Sequence, residues 1–246
     1  MEYDVLSAFY DRLVNADYAA LYAYYRAIWA RYGCSPEVVL DLGCGTGNLL
    51  PHLEQAHQVI GVDISAEMLS AAREKAAPET LLLQQDMRAL DLYGTVDAAV
   101  CALDGINALE DGQAVLETLS RVNLFLSKGG LFVFDVNTPY KFRQVLDGAA
   151  FVYDTEEVYC VWQSALQGKS CAFWLDFFVP DGRGRYERRQ EALEQRVYEL
   201  EELEQLVARS GLELLAVLGD HSLEPPGPQE QRVFFVTRKG RDAPNQ

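Results

Sequence analysis

The stretch VVLDLGCGTGNLL, residues 38–50, decides the fold. Val38 to Leu42 form a short apolar run, the pattern of a buried strand. Gly43, Gly45 and Gly47 follow at alternate positions, where a backbone without Cβ atoms can turn sharply and approach a ligand. Behind them NLLPHLEQA reads as a helix. A dinucleotide fingerprint would put its third glycine at position 48, which is Asn48 here. Asp41, two residues before the first glycine, would repel a pyrophosphate and suits a cationic or amine-bearing ligand. Asp63 ends the next strand, HQVIGVD, about 20 residues downstream, from where a carboxylate can accept both hydroxyls of a ribose.

The same alternation extends outward from this unit. SAEMLSAAREKAA is a helix with Ser65 as its N-cap, and TLLLQQ, VDAAVCA and GLFVFDV are further buried strands, the last preceded by the helix QAVLETLSRVNLFL. Near-continuous apolar strands separated by helices predict a parallel sheet covered on both faces. Residues 1–34 read as two helices carrying the aromatic stripe Tyr18, Leu21, Tyr22, Tyr25, Ile28, Trp29 and Tyr32, an N-terminal helical cap. The core pattern occupies 35–149 and returns over 199–240, with the helix ELEELEQLVARSG stopped by Gly211 and the strands LELLAVLG and QRVFFVTRK. Between them, 150–198 changes character: FVYDTEEVYCVW, CAFWLDFFV and RYERRQEALEQRVY are long and partly alternating, and DGRG separates the last two. This predicts an antiparallel β insertion after the fifth core strand, acting as a lid or a dimer contact. RDAPNQ reads as a frayed end.

Composition bounds the function. Lys and Arg total 21 against 37 Asp and Glu, a net charge of −16, which disfavours a nucleic-acid substrate; Arg183, Arg185, Arg188 and Arg189 are the one basic cluster. Five scattered cysteines without metal or redox spacing, no signal-peptide pattern and no long apolar run predict a cytoplasmic protein with reduced thiols, no bound metal and no membrane span.

A further acid follows the third strand, in Gln85-Asp86-Met87. Its carboxylate can accept from an adenine amino group while Met87 covers a ring face, although Asp86 also suits a turn cap. Asp41, Asp63 and Asp86 thus fall at successive strand ends on the carboxyl edge of one sheet, where open α/β folds bind ligands. LDLGCGTG, GVDISAEML, QQDM and LSKGGLFVFDV closely resemble the motifs of the class I S-adenosylmethionine-dependent methyltransferases, a seven-stranded Rossmann-like fold with an antiparallel final strand. FYDRLV, CALDGIN, FDVNTPYKF and RRQEALEQRVY resemble the bacterial YqeM-like subgroup, itself similar to the deoxyaminosugar N-methyltransferases. The resemblance implies S-adenosylmethionine as cofactor, held by Asp41, Gly43, Gly45, Gly47, Asp63, Ile64, Met68, Asp86, Met87 and Ala102, with Tyr10 closing over its methionyl part.

Methyl transfer needs little beyond positioning, so the lack of a catalytic triad does not argue against an enzyme. The candidates to face the acceptor are Asp104 and Asn107 after the fourth strand, and His221 in the loop DHSLEPPGPQE; each also suits a turn or exposed-loop role. Asn137 to Pro139 reads as a helix start rather than an amine-holding motif, and His52 and His57 read as structural or solvated. A small-molecule acceptor leads. An RNA or protein methyltransferase and a non-catalytic cofactor-binding regulator are the competing readings, and a homodimer is compatible with all three.

Overall fold

The computed structural model describes residues 5–240; residues 1–4 and the RDAPNQ end lie outside them. Two N-terminal helices, α1 (Leu6–Leu13) and α2 (Tyr18–Arg31), precede the first strand. Asp17 caps α2 by accepting from Ala20 N, and most of the aromatic stripe is buried, Tyr18 and Tyr32 only in part; Tyr25, with Tyr24 from outside the stripe, meets Phe234 edge-on, ring centroids 6.2 and 5.0 Å away.

The core alternates β1 (Val38–Leu42), α3 (Leu50–Leu53), β2 (Gln58–Asp63), α4 (Ala66–Lys75), β3 (Leu81–Gln84), β4 (Val96–Cys101), α5 (Gly112–Phe125) and β5 (Leu126–Asn137). It continues, after the second sheet described below, with α7 (Leu200–Arg209), β10 (Glu213–Gly219) and β11 (Arg232–Arg238). The seven strands lie in the order β10-β11-β5-β4-β1-β2-β3. β11 runs antiparallel to both β5 and β10, and the pairs β4–β5, β1–β4, β1–β2 and β2–β3 are parallel. Apolar clusters fill both faces: Leu119, Val207 and Phe235 belong to one, Ile28, Leu53 and Phe234 to the other. The N-cap expected of Ser65 is present, its hydroxyl accepting from Met68 N at 3.1 Å. α7 gives way at Gly211, whose φ of +84° an L side chain resists.

After β5 the chain makes the short turn α6 (Pro139–Lys141), capped by Thr138, and then builds a separate antiparallel sheet, β6 (Ala150–Asp154), β7 (Tyr159–Gln167), β8 (Ser170–Pro180) and β9 (Tyr186–Arg196), in that order. Leu6 and Leu13 of α1 join Phe142, Phe173 and Phe177 in a third apolar cluster beneath it.

Two elements differ from the sequence reading. FVYDTEEVYCVW is two strands, because Thr155 folds the chain back: its hydroxyl donates to Val158 O at 2.8 Å and accepts from Val158 N at 3.0 Å. The helix expected over NLLPHLEQA shrinks to four residues. Gln58 N bonds Glu37 O to start the β1–β2 ladder, and His57 Nδ1 lies 2.8 Å from Pro36 O, so the chain must leave the helix early.

Candidate active site

Parallel registry brings the carboxyl ends of β1, β2, β3, β4 and β5 to one edge of the sheet, and with them Asp41, Asp63, Asp86, Asp104 and Asn137. Gly43, Gly45 and Gly47 have φ of +74°, +55° and +77°, the left-handed region that only glycine enters cheaply. Gly47 also serves packing: a Cβ there would sit 2.8 Å from Ala72 Cβ on α4. Asp63 clamps this turn to the next helix, accepting from Gly45 N at 2.8 Å and Ser65 N at 2.9 Å, and burial raises its pKa.

Asp41 is different. It is 1% exposed, and neither carboxylate oxygen has a hydrogen-bond partner. Burial, aided by the nearby Asp63 charge, pushes its pKa up to about 7. It borders a small cavity of about 40 Å³ shared with Tyr10, Tyr18, Gly43, Gly45 and Ala102. An orphaned buried acceptor is costly unless a donor arrives from outside, and an ammonium group supplies one.

That recess shares Tyr10, Gly43, Gly45, Ala102 and Leu103 with a larger cleft of about 260 Å³, which adds Asp63, Ile64, Met68, Asp86 and Met87. Every cofactor residue expected from the sequence except Gly47 lines one or both cavities. Gly47 lies behind, against α4. Asp86 arrives with its carboxylate shared: Arg88 Nε lies 3.0 and 2.9 Å from its two oxygens, and Arg88 also pairs with Glu110 at 2.7 Å. The cap role is realised as well, Asp86 accepting from Arg88 N at 2.9 Å. Tyr10 is held over the opening because α1 is tied on both sides. Asp11 accepts from Thr46 Oγ1 at 2.6 Å and Asn48 Nδ2 at 2.7 Å, while Glu191 on β9 accepts from Leu6 N at 2.8 Å.

Beyond Tyr10, Leu103, Gly105 and Ala108 the cleft opens into a second cavity of about 370 Å³. Phe151, Tyr153, Trp162 and Phe173 of the second sheet form an aromatic wall there. The polar residues are Asp104, Asn137, Lys141, Gln195 and Arg232, with Glu194 at the rim. Leu103 and Asp104 both have positive φ, 55° and 60°, held by their N–H groups donating to Asp135 at 2.7 and 3.0 Å. Arg232 bridges Asp104 at 3.0 Å and the fully buried Asp135 at 3.4 Å, and Gln195 Nε2 donates to Asp104 at 2.5 Å. Burial lifts the Asp135 pKa to about 6 against the pull of Arg232.

Of the acceptor-side candidates only Asp104 lines this cavity. Asn107 is 0% exposed, and its amide is used internally, donating to Arg196 O at 2.8 Å and accepting from Asn137 N at 2.9 Å. His221 lines neither cavity; it lies against Tyr24, whose ring centroid is 5.5 Å away, with Asp220 3.8 Å from Nε2. The tie is Tyr24, whose hydroxyl donates to Gly219 O at 2.9 Å and anchors the loop to α2. Asn137 faces the cavity, although its segment also starts a helix, with Thr138 as the cap. Lys141, Gln195 and Arg232 escaped the sequence reading because each reaches the site from a different element.

A family profile described as a methyltransferase domain matches residues 39–130. YqeM of Bacillus subtilis (strain 168), assigned by name to the methyltransferases, is 35% identical over 209 residues, 82% of this chain and 84% of that protein. The chain belongs to the YqeM-like S-adenosylmethionine-dependent methyltransferases. The crystal structure of an S-adenosylmethionine-dependent methyltransferase from Clostridium acetobutylicum ATCC 824 superposes with a TM-score of 0.87 at 29% identity, covering 97% of this enzyme and 99% of that chain. The sugar N-methyltransferase KedS8 from Streptoalloteichus sp. ATCC 53650 shares the fold, with a TM-score of 0.82 at 24% identity over 97% of this enzyme and 94% of that chain. S-adenosylmethionine is the cofactor of this methyltransferase, and the orphaned Asp41 carboxylate fits the amine of its methionyl part. Among the described residues no helix is long and apolar enough to cross a membrane.

Proposed function

We propose that this enzyme methylates a small molecule seated in the second cavity. The observation that carries the reading is the cavity itself. It is about 370 Å³ and shares Tyr10, Leu103, Gly105 and Ala108 with the cofactor cleft, and its lining is part aromatic and part polar. Such a mixed lining suits a compact ring-bearing molecule, which can both stack on aromatic side chains and hydrogen-bond to polar ones. The sugar N-methyltransferase KedS8, a fold neighbour, supports an acceptor of that size. The basic cluster offers little to RNA, since Arg185, Arg188 and Arg189 are paired with Asp181, Asp176 and Glu187 at 2.8, 2.6 and 3.0 Å.

In this reading Asp41 receives the cofactor's amine, Asp63 its ribose hydroxyls, and Ile64, Met68, Asp86 and Met87 surround its adenine, while the Gly43–Gly47 backbone and Ala102 allow close approach and Tyr10 covers the methionyl part. When bound, S-adenosylmethionine supplies an electrophilic methyl group on a sulfonium that departs as a neutral thioether. The chain contributes position and exclusion of water: α1 and the second sheet close over the junction, and Asp104 and Asn137 orient the acceptor.

The test is incubation with methyl-labelled S-adenosylmethionine and a bacterial extract separated into low-molecular-weight, RNA and protein fractions. Label should enter the low-molecular-weight fraction. Label confined to RNA or protein would overturn the proposal.

A further inference from the structure

The second sheet has two faces, and the fold uses only one of them. Alternation along the strands turns Cys160, Phe173, Leu175 and Phe177 inward, where they are buried in the apolar cluster beneath the sheet. The opposite face carries Val152, Tyr159, Trp174 and Tyr186, all exposed, Trp174 by 47% and Tyr186 by 64%. These are four of the nine large hydrophobic side chains exposed among the described residues, on a chain whose net charge is −16. Single exposed apolar residues need no explanation, but a group of them on one face does.

The strand register shows what such a face fits. Asp154, Tyr159, Phe178 and Arg188 stand in one row across the four strands: an acid, two aromatics and a base. Ala150, Gln163, Trp174 and Ala192 form another row, small at both ends. A second copy laid face to face about a twofold axis parallel to the strands reverses every row. Asp154 then opposes the partner subunit's Arg188, Tyr159 opposes Phe178, Ala150 opposes Ala192 and Trp174 opposes Gln163, within the rotation of about 30° that twisted sheets impose. The turns beyond the first row match in the same way. Asp154 and Glu156, at the β6–β7 end, form no ion pair among the described residues, and they would meet the hairpin that carries Arg183, Arg185 and Arg188. Arg188 already donates from Nε to Asp176 Oδ1 at 2.7 Å, but its side chain is half exposed and a guanidinium has five donors.

The area is sufficient. The strands hold 5, 9, 11 and 11 residues. At about 3.4 Å per residue and about 4.8 Å between strands they spread about 600 Å² per copy. A pair covers about 1,200 Å², the lower edge of stable interfaces. An anionic lipid surface is a poorer occupant, because the acidic body would be repelled by it.

We propose that the outer face of the second sheet is a homodimer interface, formed face to face about a twofold axis parallel to its strands. The inner face remains a wall of the second cavity, so the proposal holds whatever the acceptor is.

Sedimentation equilibrium of the full chain tests it, at about 0.15 M salt and about 50 µM protein, above the micromolar limit for interfaces of this kind. The parent should show twice the 27.6 kDa of one chain. Trp174→Glu should show the mass of one chain. Arg188→Glu sets acid against Asp154 at both ends of the interface and should weaken dimerisation roughly tenfold or more. Adding Asp154→Arg to that variant should restore most of the loss. All three variants should bind adenosylhomocysteine as the parent does, since none of these residues lines the cofactor cleft, and that binding reports that they are folded. A parent that sediments as a single chain overturns the proposal, and this measurement needs no variant. A dimer indifferent to Trp174→Glu would place the contact on another face. A loss at Arg188→Glu that Asp154→Arg fails to repair would rule out the proposed axis.

Discussion

The two cavities share one edge of one sheet and are built in opposite ways. The cofactor cleft is assembled almost entirely from residues between Asp41 and Glu110, most within a few positions of a strand end, with Tyr10 and Tyr18 the distant members. The second cavity draws Asp104 from behind β4, Asn137 and Lys141 from around β5, Trp162, Phe173 and Gln195 from the second sheet, and Arg232 from the start of β11. Local motifs position the first, and long-range packing positions the second. A substitution that loosens tertiary packing should therefore strike the second cavity harder, while the first answers to single side chains.

The largest effect expected from this difference is at Arg232. Its guanidinium is the cation between Asp104 and the fully buried Asp135, so Arg232→Met strands two carboxylates. Breaking a buried pair from one side costs about 3–5 kcal/mol, toward the lower end here because Asp104 keeps some solvent contact. Urea unfolding near neutral pH should show that loss. It should shrink on acidification below about 6, where Asp135 takes up a proton in the folded state and no longer needs the guanidinium. A variant within about 0.5 kcal/mol of the parent, the usual size of surface changes, would mean the pair is not structural and that the second cavity tolerates change as the motif side does not.

The same division explains what was legible. The strand order and the antiparallel β11 follow from the alternation of apolar strands and helices together with the family resemblance, and Asp41 and Asp63 follow from their offsets to a glycine turn. Gln195 and Arg232 carry no such offset; they meet Asp104 only because β9 and β11 return to the same edge from 91 and 128 residues away. Asn107 and His221 misled for a related reason. Their positions after strand ends were read correctly, but side-chain direction was not: Asn107 turns inward to join Arg196 and Asn137, and His221 turns toward Tyr24. A strand-end position fixes where a Cα lies, and packing decides where its side chain goes.

On the cofactor side a smaller and more local response is expected. Asp63→Ala should weaken adenosylhomocysteine binding by about 1–3 kcal/mol, the cost of leaving hydroxyls without a charged acceptor. Part of that loss is indirect, since Asp63 also holds Gly45 N and Ser65 N, so Asp63→Asn should recover some of it. Calorimetry separates the two. Equal binding by parent and Asp63→Ala would remove the ribose assignment, and tight NAD binding in the parent would overturn the choice of cofactor.

The smallest effect per step, and the most specific, is the pH dependence of Asp41. Without ligand its carboxylate holds a proton up to about 7 because it is buried and near Asp63, whereas the unfolded chain releases that proton near the ordinary aspartate value of 3.8. The folded state thus binds the proton more tightly, and Asp41 makes the unliganded enzyme more stable as pH falls from about 7 toward 4, opposite to a salt-bridged aspartate. An amine-bearing ligand reverses the preference, since an ammonium is best matched by the charged carboxylate. Binding adenosylhomocysteine below pH 7 must therefore release a proton from Asp41, and affinity should fall by up to about tenfold per pH unit on acidification, the limit for one proton, or about 1.4 kcal/mol per unit. Asp41→Asn should bind more weakly at pH 8 and lose most of this slope, while Asp86→Asn should keep it, because Arg88 already holds that carboxylate low. Calorimetry in buffers of different ionisation enthalpy counts the proton directly. If the parent releases none at pH 6, Asp41 is not the partner of the amine, and its two unpartnered oxygens must be satisfied by some other donor in the recess.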